Sequence, residues 1–144
     1  MEIKNKTLIN IINILDKYGS MKLPQKISYA ITKNIIILKR EFKIYNMQLK
    51  KIIESYLEYA TKDENGKPKM YDNGLPMVEN TEKSDELLAE VQDLLDISIN
   101  VDLFKIDFET FNYDDKGVYN TLSSQDIMTL STILCDEEWF YGWH

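Results

Sequence analysis

Nine apolar residues, Ile31, Ile35, Leu38, Phe42, Tyr45, Leu49, Ile52, Tyr56 and Tyr59, follow one another at alternating intervals of four and three, with no Gly or Pro among them. That is the a/d spacing of helices packed side by side with a left-handed twist. It predicts a helix that Pro24 opens, since the missing proline N–H costs nothing in a first turn, and that runs to about Thr61. At 1.5 Å per residue such a helix extends roughly 57 Å, so something must cover it along its length: the helices before and after it in turn, or a second copy of the chain. The further apolar positions Ile27, Ile36, Ile37, Ile44 and Ile53 widen the stripe beyond a two-stranded seam, which favours cover from within the chain.

The flanking segments read more briefly. Leu8, Ile11, Ile12 and Leu15 predict a first helix from Thr7 to Tyr18, with Gly19 placed to end it in a left-handed conformation. Two Asn-Gly pairs, in Asp63-Glu64-Asn65-Gly66-Lys67-Pro68 and in Asp72-Asn73-Gly74-Leu75-Pro76, predict tight turns and a small hairpin or ordered loop. Asn80 or Thr81 caps a third helix built on Leu87, Leu88, Val91, Leu94 and Leu95. The period then changes to two over Ile97–Leu103 and switches parity at Phe104, Ile106 and Phe108, the pattern of a strand with a bulge or bend near Leu103. Asp114-Asp115-Lys116-Gly117 is a turn, and Ser123 or Ser124 caps a last helix carrying Ile127, Met128, Leu130, Ile133 and Leu134. The expected fold is mostly α (α+β), a long-helix bundle with a small β-hairpin or strand region. At 144 residues one domain suffices, with residues 1–62 a basic helical hairpin, 63–80 a turn-rich loop and 81–144 an acidic helix-strand-helix part.

Charge divides along the same line. Residues 1–62 hold 12 Lys and Arg against 5 acids, whereas residues 63–144 hold 5 Lys against 19 acids. The halves either neutralise one another on folding or one of them presents a binding face: basic for nucleic acid, or acidic in imitation of a phosphate array. A lone Cys135 and a lone His144 exclude a disulfide framework and a Cys/His zinc site. No apolar run approaches the ~18 residues that span a bilayer, and the Ile-rich opening is broken by Asn10, Asn13 and Asp16, unlike a signal peptide. A reduced, cytoplasmic setting is expected, with no membrane association.

Chemistry has little material. There is no Gly-rich phosphate loop and no Gly-x-Ser-x-Gly, and Cys135 beside Leu134 reads as a buried thiol. Asp63, Asn65 and Asp72 do not follow the order of a calcium loop. Carboxylates remain: Asp102, Asp107, Glu109, Asp114 and Asp115, with Lys105, are the residues a Mg²⁺-dependent nuclease would use. The stripe Lys22, Lys26, Lys33, Lys39, Arg40, Lys43, Lys50 and Lys51 contains a single Arg, so it offers phosphate contact and almost no base readout, and direct nucleic-acid binding is not expected. The candidate binding residues are therefore Glu82, Asp85, Glu86 and Glu90 on the third helix, and Trp139, Phe140, Tyr141 and Trp143 near the C-terminus, where aromatics supply the residue types that anchor interfaces. No catalytic residue, metal or cofactor is expected.

The opening Ile3-Lys4-Asn5-Lys6, the run from Glu58-Tyr59-Ala60 to Lys62-Asp63-Glu64-Asn65-Gly66-Lys67-Pro68, the Glu86-Leu87-Leu88 helix and the Leu122-Ser123-Ser124-Gln125-Asp126-Ile127 cap together resemble small proteins of unknown function encoded by phages of low-GC Gram-positive bacteria. The resemblance carries over no site residue. It implies a role: an acidic phage protein, not an enzyme, that binds a host or phage protein inside the infected or lysogenic cell, in its most specific form an anti-CRISPR-like inhibitor of a bacterial defence nuclease. A virion or tail-assembly component, dimerised through the long helix, is one alternative; a metal-dependent nuclease is the other.

Overall fold

The computed structural model describes residues 1–136. Among them, four helices, α1 (Asn5–Gly19), α2 (Gln25–Tyr56), α3 (Thr81–Leu95) and α4 (Ser124–Leu134), accompany two short strands, β1 (Glu2–Lys4) and β2 (Ser98–Asn100). The fold is mostly α with a small antiparallel sheet in which Ile3 faces Ile99.

The predicted long helix is continuous: α2 keeps its hydrogen bonding over 32 residues, and a single 3-10 turn, Leu57–Tyr59, follows it. Two helices cover it in turn. Towards its N-terminal end lies α1, where Asp16 meets Lys39 at 3.7 Å and Gly19 approaches Ile31 and Ile35. Towards its C-terminal end lies α3, where Lys83 Nζ sits 4.9 Å over the Tyr59 ring. Ile31, Leu38, Tyr45 and Tyr56 of the a/d series are buried, Ile35, Phe42, Leu49 and Ile52 are half-buried, and Tyr59 is exposed. The main core joins Leu8 and Leu15 of α1, Ile27, Ile31 and Leu38 of α2, and Leu130 and Leu134 of α4.

Several expectations need correction. The first helix starts at Asn5, because β1 precedes it and pairs with β2; three residues are too few for period-two alternation to be visible in the sequence. Gly19 is not left-handed: the helix ends through Ser20 in a right-handed conformation, its N–H bonded to the Tyr18 carbonyl. The strand predicted over Ile97–Leu103 shrinks to Ser98–Asn100 and carries no bulge. The chain has already left the sheet when the parity switches, and there Asn34 supplies the hydrogen bonding: Asn34 Nδ2 donates to the Phe104 carbonyl (2.9 Å) and Phe104 N–H donates to Asn34 Oδ1 (2.7 Å). A 3-10 turn, Phe108–Phe111, stands where alternation suggested more strand.

The two Asn-Gly turns make something other than a simple hairpin. Thr61 N–H donates to the Met77 carbonyl, Met77 N–H to Lys69, and Lys69 N–H to Thr61, at 2.8, 2.9 and 2.8 Å, so three extended segments close into a ring. Gly66 and Gly74 take the positive φ (77° and 87°) that lets the chain reverse between them. Asn80 caps α3, its Oδ1 accepting from Lys83 N–H, and Ser123 with Asp126 forms a reciprocal capping box on α4.

Candidate interaction surface

Periodicity dictates where the acids of α3 point. Leu87 and Leu94 are buried towards α2, so residues half a turn away face solvent. Glu82, Asp85, Glu86 and Glu90 are all exposed. They are not equivalent. Glu86 pairs with Lys83 at 3.2 Å, an i,i+3 contact that holds the Lys83 ammonium above its ordinary range. Glu90 accepts a hydrogen bond from the phenol of Tyr56, which, with burial and the nearby negative charge, pushes that phenol up to about 12. Glu86 thus acts within α3, whereas Glu90 ties α3 to α2 as well as facing water. Glu82 and Asp85, together with Asp93, make no ion pair or hydrogen bond within the described residues, so their charge is available to a partner. Asp96 closes this face, lowered by its hydrogen bond from Gln92 and by Lys4 and Lys6. Trp139, Phe140, Tyr141 and Trp143 lie outside the described residues, as does His144.

The carboxylates of the nuclease alternative are not gathered. Asp115 is turned into its own loop, accepting from Gly117 N–H and Thr121 Oγ1 and lowered by both, and Asp114 accepts from Lys116 N–H. Lys105 Nζ donates 2.9 Å to the carbonyl of Ile133, closing the end of α4. Among the described residues no three His, Cys, Asp or Glu side chains come together as a metal-binding group. Cys135 is buried, and burial pushes its thiol up to about 11, which makes it a poor nucleophile. A groove of about 470 Å³ does open at the start of α2, where Lys26 and Tyr29 face Phe104, Lys105, Asp107 and Thr110. Its charged groups are mixed in sign and hold no nucleophile beside a base.

Two residues that position this surface escaped the sequence reading. Asn34 is fully buried and fixes the Phe104 backbone; the available signal was a lone polar residue between Ile31 and Leu38 on the buried stripe. Asn5 is buried where α1 begins and α3 ends, its Nδ2 bonded to the Leu94 carbonyl and its backbone N–H to the Ile97 carbonyl. Neither partner is near in sequence, so no local pattern announces either contact. Compared with known proteins, the chain matches no family model, no curated protein and no solved structure.

Proposed function

We propose that the protein is a non-enzymatic acidic interaction protein of the phage type, acting inside a bacterial host by occupying a basic, nucleic-acid-binding surface of a larger protein. The observation that carries this reading is the outer face of α3, where Glu82, Asp85 and Asp93 stand exposed, with no ion pair or hydrogen bond among the described residues, at the front of a half-chain with 19 acids against 5 Lys. Carboxylates along a helix offer a basic channel a spaced row of negative charge like that of a phosphate backbone, and they accelerate encounter more than they tighten the final complex. Tightness is then the task of desolvated aromatics, and Trp139 and Trp143 are the residues proposed for it. Inhibition of a defence nuclease is the most specific form of the reading, since such enzymes carry the required channel.

The test is a DNA-cleavage assay with host defence nucleases and this protein, run with the wild type and with a Glu82→Gln, Asp85→Asn, Glu86→Gln, Glu90→Gln variant. Wild-type inhibition that DNA competes away, and that the variant loses, supports the proposal. Inhibition equally strong in the variant removes the acidic face from it. A second reading, a self-assembling structural component, is favoured by the apolar residues that α2 leaves exposed.

A further inference from the structure

The helix α2 carries two apolar stripes, and only one of them is used. Ile31, Leu38, Tyr45 and Tyr56 face α1 and α3; on the opposite side Ile36, Ile44 and Met47 stand more than half exposed, beyond Tyr29, whose ring packs edge-on against Phe104. A surface helix needs one apolar stripe to fold, and a second is the mark of a second packing partner. This outer ridge is flanked by exposed Arg40, Lys43, Lys50 and Lys51, none of which forms an ion pair within the described residues, while Lys33 at its N-terminal end sits over the Phe104 ring at 4.9 Å. A bare phosphate backbone suits the cations but leaves Ile36 and Met47 against charge. The fitting occupant is acidic and partly apolar, and this chain presents one.

The outer face of α3 supplies Glu82, Asp85 and Asp93 around exposed Ala89. Beside them runs a groove of about 320 Å³ whose apolar lining comes from Tyr71, Leu75, Pro76, Leu87 and Leu88, with Tyr71 and Leu88 each about half exposed. We infer that the outer face of α2 in one copy docks on the outer face of α3 in a second copy, the Ile36/Ile44/Met47 ridge meeting the Tyr71/Leu88 groove and the lysines meeting the carboxylates. Since α3 packs on the buried side of α2, the two faces point away from one another on each molecule. The contact is heterologous and repeats copy to copy into an open chain. The net charge of −7 opposes association in orientations that do not bring the basic ridge to an acidic face. This inference rests on the second, self-assembling reading and names its contact, but is independent of the acidic-face reading; where both hold, self-assembly hides the α3 face and a basic partner disperses it.

The decisive experiment is analytical ultracentrifugation of the full chain with two charge-reversed variants. One carries Arg40→Glu, Lys43→Glu and Lys51→Glu, so that α2 and α3 are both acidic outside; the other carries Glu82→Lys, Asp85→Lys and Asp93→Lys, so that both are basic. The wild type is expected to exceed its 17.0 kDa monomer mass increasingly with concentration at low ionic strength and to return to it at high. Each variant alone should stay monomeric, and an equimolar mixture should regain association, because the native α2 face of one variant then meets the native α3 face of the other. An Ile36→Ser, Met47→Ser variant should also be monomeric while melting at the wild-type temperature. A wild type that stays monomeric throughout, variants that associate alone, or a mixture that stays dissociated overturns the inference. So does association unchanged in the Ile36→Ser, Met47→Ser variant.

Discussion

The side-chain amide of Asn5 donates a 2.9 Å hydrogen bond to the carbonyl of Leu94, 89 positions along the chain. That one contact joins the first residue of α1 to the last turn of α3, where the Leu94 carbonyl otherwise accepts only from the adjoining C-terminal N–H groups, that of Ile97 at 3.4 Å among them. Asn5 also gives its backbone N–H to Ile97, and β1 pairs with β2 immediately beyond. Two short helices thereby meet end to end and jointly cover the one long helix, so the acidic face of α3 has a fixed direction relative to α1 and the core.

Replacing Asn5 by Ala should therefore act on the junction before it acts on the core. The Leu94 carbonyl keeps its longer bond from Ile97 N–H (3.4 Å), so loss of the Asn5 amide is expected to cost about 0.5–1.5 kcal/mol. Hydrogen exchange should rise first at the amides of Asn5, β1 and β2 and much less within α1. Uniform acceleration across the helices would show that Asn5 supports global stability and has no special place at the junction.

Asn34 offers a sharper case because it is fully buried and holds both polar groups of Phe104. Asn34→Leu fits the apolar surroundings but orphans a buried N–H and a carbonyl, each at roughly 1–3 kcal/mol. Urea unfolding should show a lowered midpoint with an unchanged slope. A variant as stable as the wild type would mean that the segment after β2 finds its hydrogen bonds elsewhere.

How much of this was legible beforehand follows from the range of each interaction. The long helix, its caps at Asn80 and Ser123 and the turns at Gly66 and Gly74 are local or periodic, and the residues that make them stand together in the sequence. The exposure of Glu82, Asp85, Glu86 and Glu90 follows from the phase of Leu87 and Leu94 on the same helix. What was hidden is long-range: the pairing of Glu2–Lys4 with Ser98–Asn100, the Asn34 grip on Phe104, and the ring closed by Thr61, Lys69 and Met77. Alternation at Ile97–Leu103 was real, but burial of Val101 and Leu103 in the main core accounts for it without a continued strand.

The two sides of α2 should respond differently to truncation. Leu38→Ala empties a fully buried site in the main core and is expected to cost about 2–5 kcal/mol. Ile36→Ala, on the exposed side, should fall within about 0.5 kcal/mol of the wild type in the dissociated protein. Phe42, half-buried and stacked on Tyr45 at 5.8 Å, should lie between them. Denaturant titration of the three variants at high ionic strength checks this order, and an Ile36→Ala loss as large as that of Leu38→Ala would place Ile36 in the fold itself.

Acid and base should weaken the same contact for opposite reasons. Tyr18 Oη donates 2.6 Å to Asp126 Oδ1; with the Ser123 N–H, this holds the carboxyl below its ordinary range, while the phenol is pushed up to about 12. The stabilisation from Asp126 is present above the ordinary carboxylate value near 4 and is lost as pH falls through the lower folded value. The contribution of Tyr18 is complete below about 10 and is lost as pH rises through about 12. Tyr18→Phe should accordingly melt below the wild type near neutral pH, with the difference narrowing in acid. A difference independent of pH would show that the phenol contributes packing alone.

The steering role proposed for the exposed acids of α3 is tested by association kinetics with a nuclease that the protein inhibits. The association rate constant should fall steeply as salt is raised, and the Glu82→Gln, Asp85→Asn, Glu86→Gln, Glu90→Gln variant should bind slowly with little salt dependence. Trp139→Ala should leave association unchanged and speed dissociation, at a cost of about 2 kcal/mol or more. An association rate that is indifferent to salt, and equal in the wild type and the neutralised variant, would contradict the account.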